Sequence, residues 1–235
     1  MKVAVIRFPG SNCDQDAFHA LNDDMGIAAS YVWHEETSLS GFEGVFVPGG
    51  FSYGDYLRCG AMASRAPVME EVRRFANEGN PVIGACNGFQ ILCEAGILPG
   101  ALLPNESQKF SCRPVWLEAV NRSSIWTRDV DRVLEIPIAH YEGRYVCEEE
   151  TLKHLQDQDL IAFRYAQSAS TRGRVEAFDK LDNPNGSVDR IAGVINRKGN
   201  VLGLMPHPER ATKESLGSDD GRLILNGFTK VLATL

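Results

Sequence analysis

Apolar positions along this chain recur with two periods, and the period switches repeatedly from strand-like to helix-like. Val3 to Ile6 is a short β-branched run. After the turn Phe8-Pro-Gly-Ser-Asn12, Ala17, Leu21 and Met25 mark one face of a helix from Asp14 to Met25. Ala28 to Trp33 predicts a second strand and Gly44 to Pro48 a third, which stops at Gly49-Gly50. Val68, Val72, Phe75 and Ala76 fall at helical spacing between Val68 and Glu78, and the apolar run Val82 to Ala85 follows directly. Strands that alternate with helices in this way predict an α/β fold: a mostly parallel central sheet covered by helices on both faces. In such sheets ligands gather beyond the carboxyl ends of the strands, where Phe8-Pro-Gly, Gly49-Gly50 and Cys86 would all lie.

The middle of the chain is less regular. Val115 to Val120, Val133 to Ile138, Tyr145-Val146 and Leu160 to Tyr165 read as strands, with a helix at Glu148 to Gln156. Asn183-Pro-Asn-Gly-Ser187 is a loop, and Ala192 to Asn196 with Val201 to Met205 reads as a hairpin. A closing helix is predicted from Asp219 to Leu235, with Leu223, Ile224, Phe228, Val231 and Leu235 as its apolar face.

At 235 residues the chain is long enough for one large core, and no linker or repeat divides it, so one domain over 1–235 is expected. A formal charge of −7 gives no general attraction to phosphate backbones or anionic membranes, which argues against nucleic acid and membrane as partners. Met1-Lys2-Val3 carries no signal-peptide pattern and no apolar run approaches a membrane span, so a cytoplasmic location is expected. The six cysteines include no C-x-x-C pair; neither a zinc site nor a disulfide framework is indicated.

The candidate chemistry centres on Cys86. It stands between the strand Val82 to Ala85 and a helical segment from Gly88 to Ala95, with Gly84 and Gly88 two residues to either side. This frame resembles the G-x-S-x-G elbow, where a strained turn presents a nucleophile and tolerates only small neighbours. A helix start also favours the thiolate, and the backbone N–H of Asn87 would face an oxyanion formed beside the sulfur. The alternative is one more buried core cysteine. A nucleophilic cysteine needs a base, and the base needs an orienting group. Pro206-His207-Pro208-Glu209 offers both, while His140-Tyr-Glu142 is a rival with the same spacing. His207 follows a predicted last strand, which places its loop at the sheet edge of Cys86 and favours it over His140. Gly50 lacks a Cβ, so its backbone N–H could complement that of Asn87 at an oxyanion. Neither a P-loop nor a G-x-G-x-x-G fingerprint is present, so no nucleotide site of recognisable type belongs to this chain.

Pro48-Gly-Gly50, Gly84-Ala-Cys-Asn-Gly-Phe-Gln90 and His207-Pro-Glu209, in that order, resemble the triad (class I) glutamine amidotransferases, which have a flavodoxin-like three-layer fold. Within that family Gly49-Gly-Phe-Ser-Tyr-Gly-Asp55, Ala139-His-Tyr-Glu-Gly-Arg144 and Gly203-Leu-Met-Pro-His-Pro-Glu-Arg210 look like the glutaminase branch that serves purine biosynthesis. Asn87 and Phe89 stand where related branches usually carry leucine and a histidine or methionine. The resemblance implies that Cys86 attacks the side-chain amide of glutamine and that His207, oriented by Glu209, handles the protons. Gly50 and Asn87 would form the oxyanion hole, and Gln90, Asn105, Ser107 and Phe110 would help hold the amino-acid end of glutamine. It places His140, Glu142 and Arg144 at the site rim or a subunit contact. It also implies no cofactor in this chain, with ATP and magnesium on a synthetase partner that converts formylglycinamide ribonucleotide to its amidine, and a small third subunit. A cysteine peptidase or chaperone-like relative would carry a similar elbow, but with its base soon after the cysteine. A silent binding module would leave Cys86 unreactive to an electrophilic glutamine analogue.

Overall fold

The computed structural model describes residues 1–166 and 183–233. The strands in chain order are β1 (Lys2–Arg7), β2 (Ala28–Trp33), β3 (Gly44–Val47), β4 (Val82–Ala85), β5 (Ala101–Leu103), β6 (Ser111–Ala119), β7 (Leu134–His140), β8 (Arg144–Val146), β9 (Ile161–Ala166), β10 (Ile191–Ile195) and β11 (Val201–Leu204). The α-helices are α1 (Asp14–His19), α2 (Pro67–Asn77), α3 (Asn87–Glu94), α4 (Glu149–Asp157) and α5 (Gly221–Leu225). Among the described residues nine strands form one sheet in the order β2-β1-β3-β4-β11-β10-β9-β6-β7; β5 and β8 form a separate antiparallel pair.

From β2 to β11 the neighbours are parallel, and from β11 to β7 every pairing is antiparallel. Successive reversals turn only β10 and β6 against the rest, so the sheet is mostly parallel in direction, as the alternating pattern predicts. Burial explains why one half of the sequence was the easier to read. β3, β4 and β11 are buried at every position, as strands covered on both faces should be. β7 alternates strictly between buried and half-buried, and β6 buries every second residue only from Val115 to Ala119, so their apolar runs are broken.

The hairpin of β10 and β11 forms as expected. The helix expected at Asp14 to Met25 is α1 followed by a π-helical turn, Ala20–Asp24. The closing helix is a correction: α5 has five residues and continues as the 3-10 segment Asn226–Ala233. Asn226 and Gly227 are weak helix formers, and a Cβ on Gly227 would lie 2.5 Å from the Trp126 ring. Phe228 meets Trp126 edge-on, 5.1 Å between ring centres, so packing outweighs the 3.6-residue period there. Leu235 lies outside the described residues. Among them, no helix is long and apolar enough to cross a membrane.

Candidate active site

Cys86 caps α3 with φ 51° and ψ −110°, a backbone conformation that is strained for any residue with a side chain. Three hydrogen bonds hold it there. Its N–H donates to Leu204 O at 2.8 Å, and its carbonyl accepts from the N–H groups of Phe89 and Gln90 at 3.0 and 3.2 Å. The turn also lies hard against β3: a Cβ on Gly88 would fall 1.9 Å from Val47 O, and one on Gly84 would fall 2.7 Å from Gly88 O. The glycine frame is therefore what lets α3 start where it does. The Cys86 thiol donates to Ala139 O at 3.7 Å, at the carboxyl end of β7.

The base arrives from β11. His207 N–H donates to Pro137 O at 2.8 Å, which ties its loop to β7, and Nδ1 meets Glu209 Oε1 at 2.6 Å with both side chains buried. Nε2 has no hydrogen-bond partner among the described residues, on a ring that interacts directly with Cys86. Gly49 makes this approach possible, since a Cβ there would lie 2.9 Å from His207 Cε1 and 3.3 Å from Cys86 Cβ. Burial opposes a charge on His207, but the Glu209 carboxylate and the Cys86 thiol favour it more strongly, and the imidazole is pushed up to about 10.

The topology corrects the ground on which His140 was set aside. β7 runs in the same direction as β4 and β11, so His140 reaches the same sheet edge as Cys86 and His207. The two histidines differ in their partners instead. His140 Nδ1 is 3.0 Å from Asn105 Oδ1, a neutral amide, and burial with the nearby His207 pushes its imidazole down to about 3. It is a buried ring that also lines the cavity over the elbow.

A cavity of about 430 Å³ opens over the elbow, and Cys86, His207, Gly50, Gln90, Phe110 and Glu142 all line it. Gly50 has φ 137°, and Asn87 opens α3, where the first backbone N–H groups lack helical acceptors. The Asn87 side chain accepts from Ser52 N–H at 3.3 Å and donates to Gln90 Oε1 at 2.8 Å; Gln90 in turn donates to Glu142 O at 2.6 Å. Gln90 thus spends its amide on bracing the 139–144 segment. Asn105 is fully buried and does not line the cavity; it donates to the carbonyls of Lys109 and His140 and accepts from Gly143 N–H. Ser107 is exposed and, like Arg144, lies away from the cavity wall.

Several wall residues were not singled out from the sequence. Asn12 and Cys13 follow the turn after β1, Asp55 and Cys59 come from the loop after Gly50, and Arg210 follows Glu209. The signal for Cys13 was its place after a β1 turn aimed at the carboxyl edge. Burial raises the Asp55 carboxyl, with nearby Glu142 adding to the rise, and burial then the Asp55 charge raise the Cys59 thiol. Atoms of Cys13, His207 and Glu209 lie within 4.8 Å of one another, near enough for a metal ion. Burial and the Glu209 charge hold the Cys13 thiol protonated, and His207 Nδ1 is already engaged, so the trio suits proton transfer better than metal ligation.

The profile of the CobB/CobQ-like glutamine amidotransferase domain matches residues 1–220. The structure of PurLQS from Thermotoga maritima contains a chain 41% identical to this one, with 98% of each chain covered and a TM-score of 0.83. A putative GMP synthase component from Thermoplasma acidophilum shares 13% identity with a TM-score of 0.63, covering 100% of this chain and 94% of its own, and is similar in fold.

Proposed function

The chain belongs to the CobB/CobQ-like glutamine amidotransferase family, and from that premise we propose that it is the glutaminase subunit of phosphoribosylformylglycinamidine synthase. The observation that carries this reading is Cys86, held on a strained elbow beside an imidazole whose far nitrogen is bonded to buried Glu209. The motifs of the purine branch and the near full-length likeness to a chain of the PurLQS structure support the choice within the family.

In this reading Cys86 Sγ attacks the side-chain carbonyl carbon of glutamine, and the electron pair moves onto oxygen. The backbone N–H groups of Gly50 and Asn87 stabilise that oxyanion. Collapse breaks the C–N bond, and the His207 imidazolium gives its proton to the leaving nitrogen, which departs as ammonia. Neutral His207 then takes a proton from water, whose oxygen attacks the thioester; glutamate leaves and the thiol is restored. Glu209 holds the ring so that Nε2 faces the reacting atoms and stabilises its charged form. Ammonia passes to a synthetase subunit that carries ATP and magnesium and converts formylglycinamide ribonucleotide to formylglycinamidine ribonucleotide, in a cytoplasmic complex with a small third subunit. Phe51, Tyr56, Leu57, Phe110 and Tyr141 are large apolar residues exposed near the cavity mouth, which supports a partner seated there.

The test is an electrophilic glutamine analogue followed by peptide mass spectrometry, with glutamate release measured for the chain alone and with the synthetase. Label on Cys86 and release that rises with the partner and its ligands are expected. An unlabelled Cys86 would remove the activity; fast release indifferent to the partner would remove the place in a synthetase complex.

A further inference from the structure

Glu209 has one carboxylate oxygen committed and one left over. Oε1 meets His207 Nδ1 at 2.6 Å, whereas Oε2 is buried without a hydrogen-bond partner among the described residues. A carboxylate with a free buried oxygen is costly, and it can also rotate off the ring it is meant to hold. Cys13 lies beside it, with its sulfur within 4.8 Å of a Glu209 oxygen and of a His207 nitrogen. The sulfur accepts from Arg210 Nη2 at 3.2 Å, and that guanidinium is braced by Asp16 at 2.8 Å. Its proton is directed at Asn12 Oδ1, 3.3 Å away, and the unpartnered Glu209 Oε2 must close on the sulfur to become the stronger acceptor of that proton.

We propose that Cys13 is a positioning residue for the glutaminase reaction: its thiol, backed by Arg210, donates to Glu209 Oε2 and so fixes the carboxylate that orients His207. No bond is made or broken; the proton stays on sulfur. Burial and the Glu209 charge raise the Cys13 thiol, which keeps that proton in place at neutral pH. The donor also tempers the charge that the imidazole meets, because a carboxylate with both oxygens occupied stabilises the imidazolium less. The titratable groups facing His207 are Glu209, Cys86, His140 and Cys13, with Arg210 behind the last. Cys13 is buried and Arg210 half-buried, both at the cavity wall.

The kinetic part rests on the proposed glutaminase function and uses the complex with the synthetase. Cys13→Val keeps bulk and removes the donor: kcat should fall about tenfold, the size of one hydrogen bond to a charged group, with KM little changed. The limb of the pH profile set by His207 should move to higher pH, and Cys13→Ser should restore both. A second readout needs no activity. The infrared S–H stretch of Cys13, taken as a difference against Cys13→Ser, should lie at lower frequency with Glu209 present than in Glu209→Gln, and should not respond to Asn12→Ala. A band indifferent to Glu209 overturns the proposal whatever the enzyme does. Equal loss in Cys13→Ser and Cys13→Val, or none in Cys13→Val, overturns it as well. Absence of glutaminase activity in every form, with the band shifting as expected, would count against the proposed function and leave the hydrogen bond standing.

Discussion

Glu209→Gln is nearly isosteric, keeps a hydrogen-bond acceptor for His207 Nδ1, and deletes one buried charge. The two side chains are only 1% and 0% exposed, so little water screens the pair. Opposite charges about 4 Å apart at an effective dielectric near 20 attract by roughly 4 kcal/mol. That energy corresponds to about three pH units in the midpoint of the imidazole. Without the carboxylate, burial meets less opposition, and His207 should titrate about three units below its value of about 10. Two assays read this. Nitrogen NMR of imidazole-labelled protein follows the ring directly, and the rate of iodoacetamide alkylation of Cys86 against pH follows the ion pair. The variant should release glutamate slowly, because its imidazole is neutral where the wild type holds a proton ready for ammonia. The sign for stability follows from the same shift. A His raised in the folded state contributes stability that is fully present below its ordinary 6.5 and is lost as pH rises through about 10. The advantage of wild type over Glu209→Gln in chemical unfolding should therefore shrink across that window. An unchanged His207 midpoint in the variant would refute the electrostatic account of the pair.

Cys86→Ala should fold and bind glutamine yet release no glutamate in a coupled dehydrogenase assay, and Cys86→Ser should fail almost as badly because a hydroxyl is harder to activate than a thiol. Retained release in Cys86→Ala would exclude a thioester. His207→Ala should lose turnover by orders of magnitude, whereas His140→Ala should act mainly through KM, since His140 is a neutral ring bonded to Asn105; steady-state kinetics with the reverse ranking would exchange their roles. Gly88→Ala puts a methyl group 1.9 Å from Val47 O, so thermal unfolding should show a loss of about 3 kcal/mol, and the elbow should lose its geometry with it.

How much of this was legible beforehand depended on whether the cause was local. The elbow was readable because a buried strand, two flanking glycines and a helix start are all written within ten residues, and the geometry at Cys86 follows from that short stretch. Glu209 could be paired with His207 because only Pro208 separates them. Chain-remote contacts were not readable. Gln90, which the resemblance sets at the amino-acid end of glutamine, lines the cavity and also links Asn87 to the carbonyl of Glu142, 52 residues away. Asn105 likewise turned out to be a strut beneath His140.

The alternation of periods determined by itself that strands and helices would interleave, and burial on both faces determined which strands would be continuous apolar runs. Strand order and direction beyond β11 belong to the tertiary structure, because the half-covered faces of β6 and β7 carry weak local signals and their partners lie far along the chain. That decision brought His140 to the edge shared by Cys86 and His207 and set Pro137 O to hold His207. It also placed Cys13, from the first turn of the chain, against Arg210 near its end. A periodic pattern records how a segment meets water. Which distant segment it meets in place of water is settled only when the whole sheet is assembled.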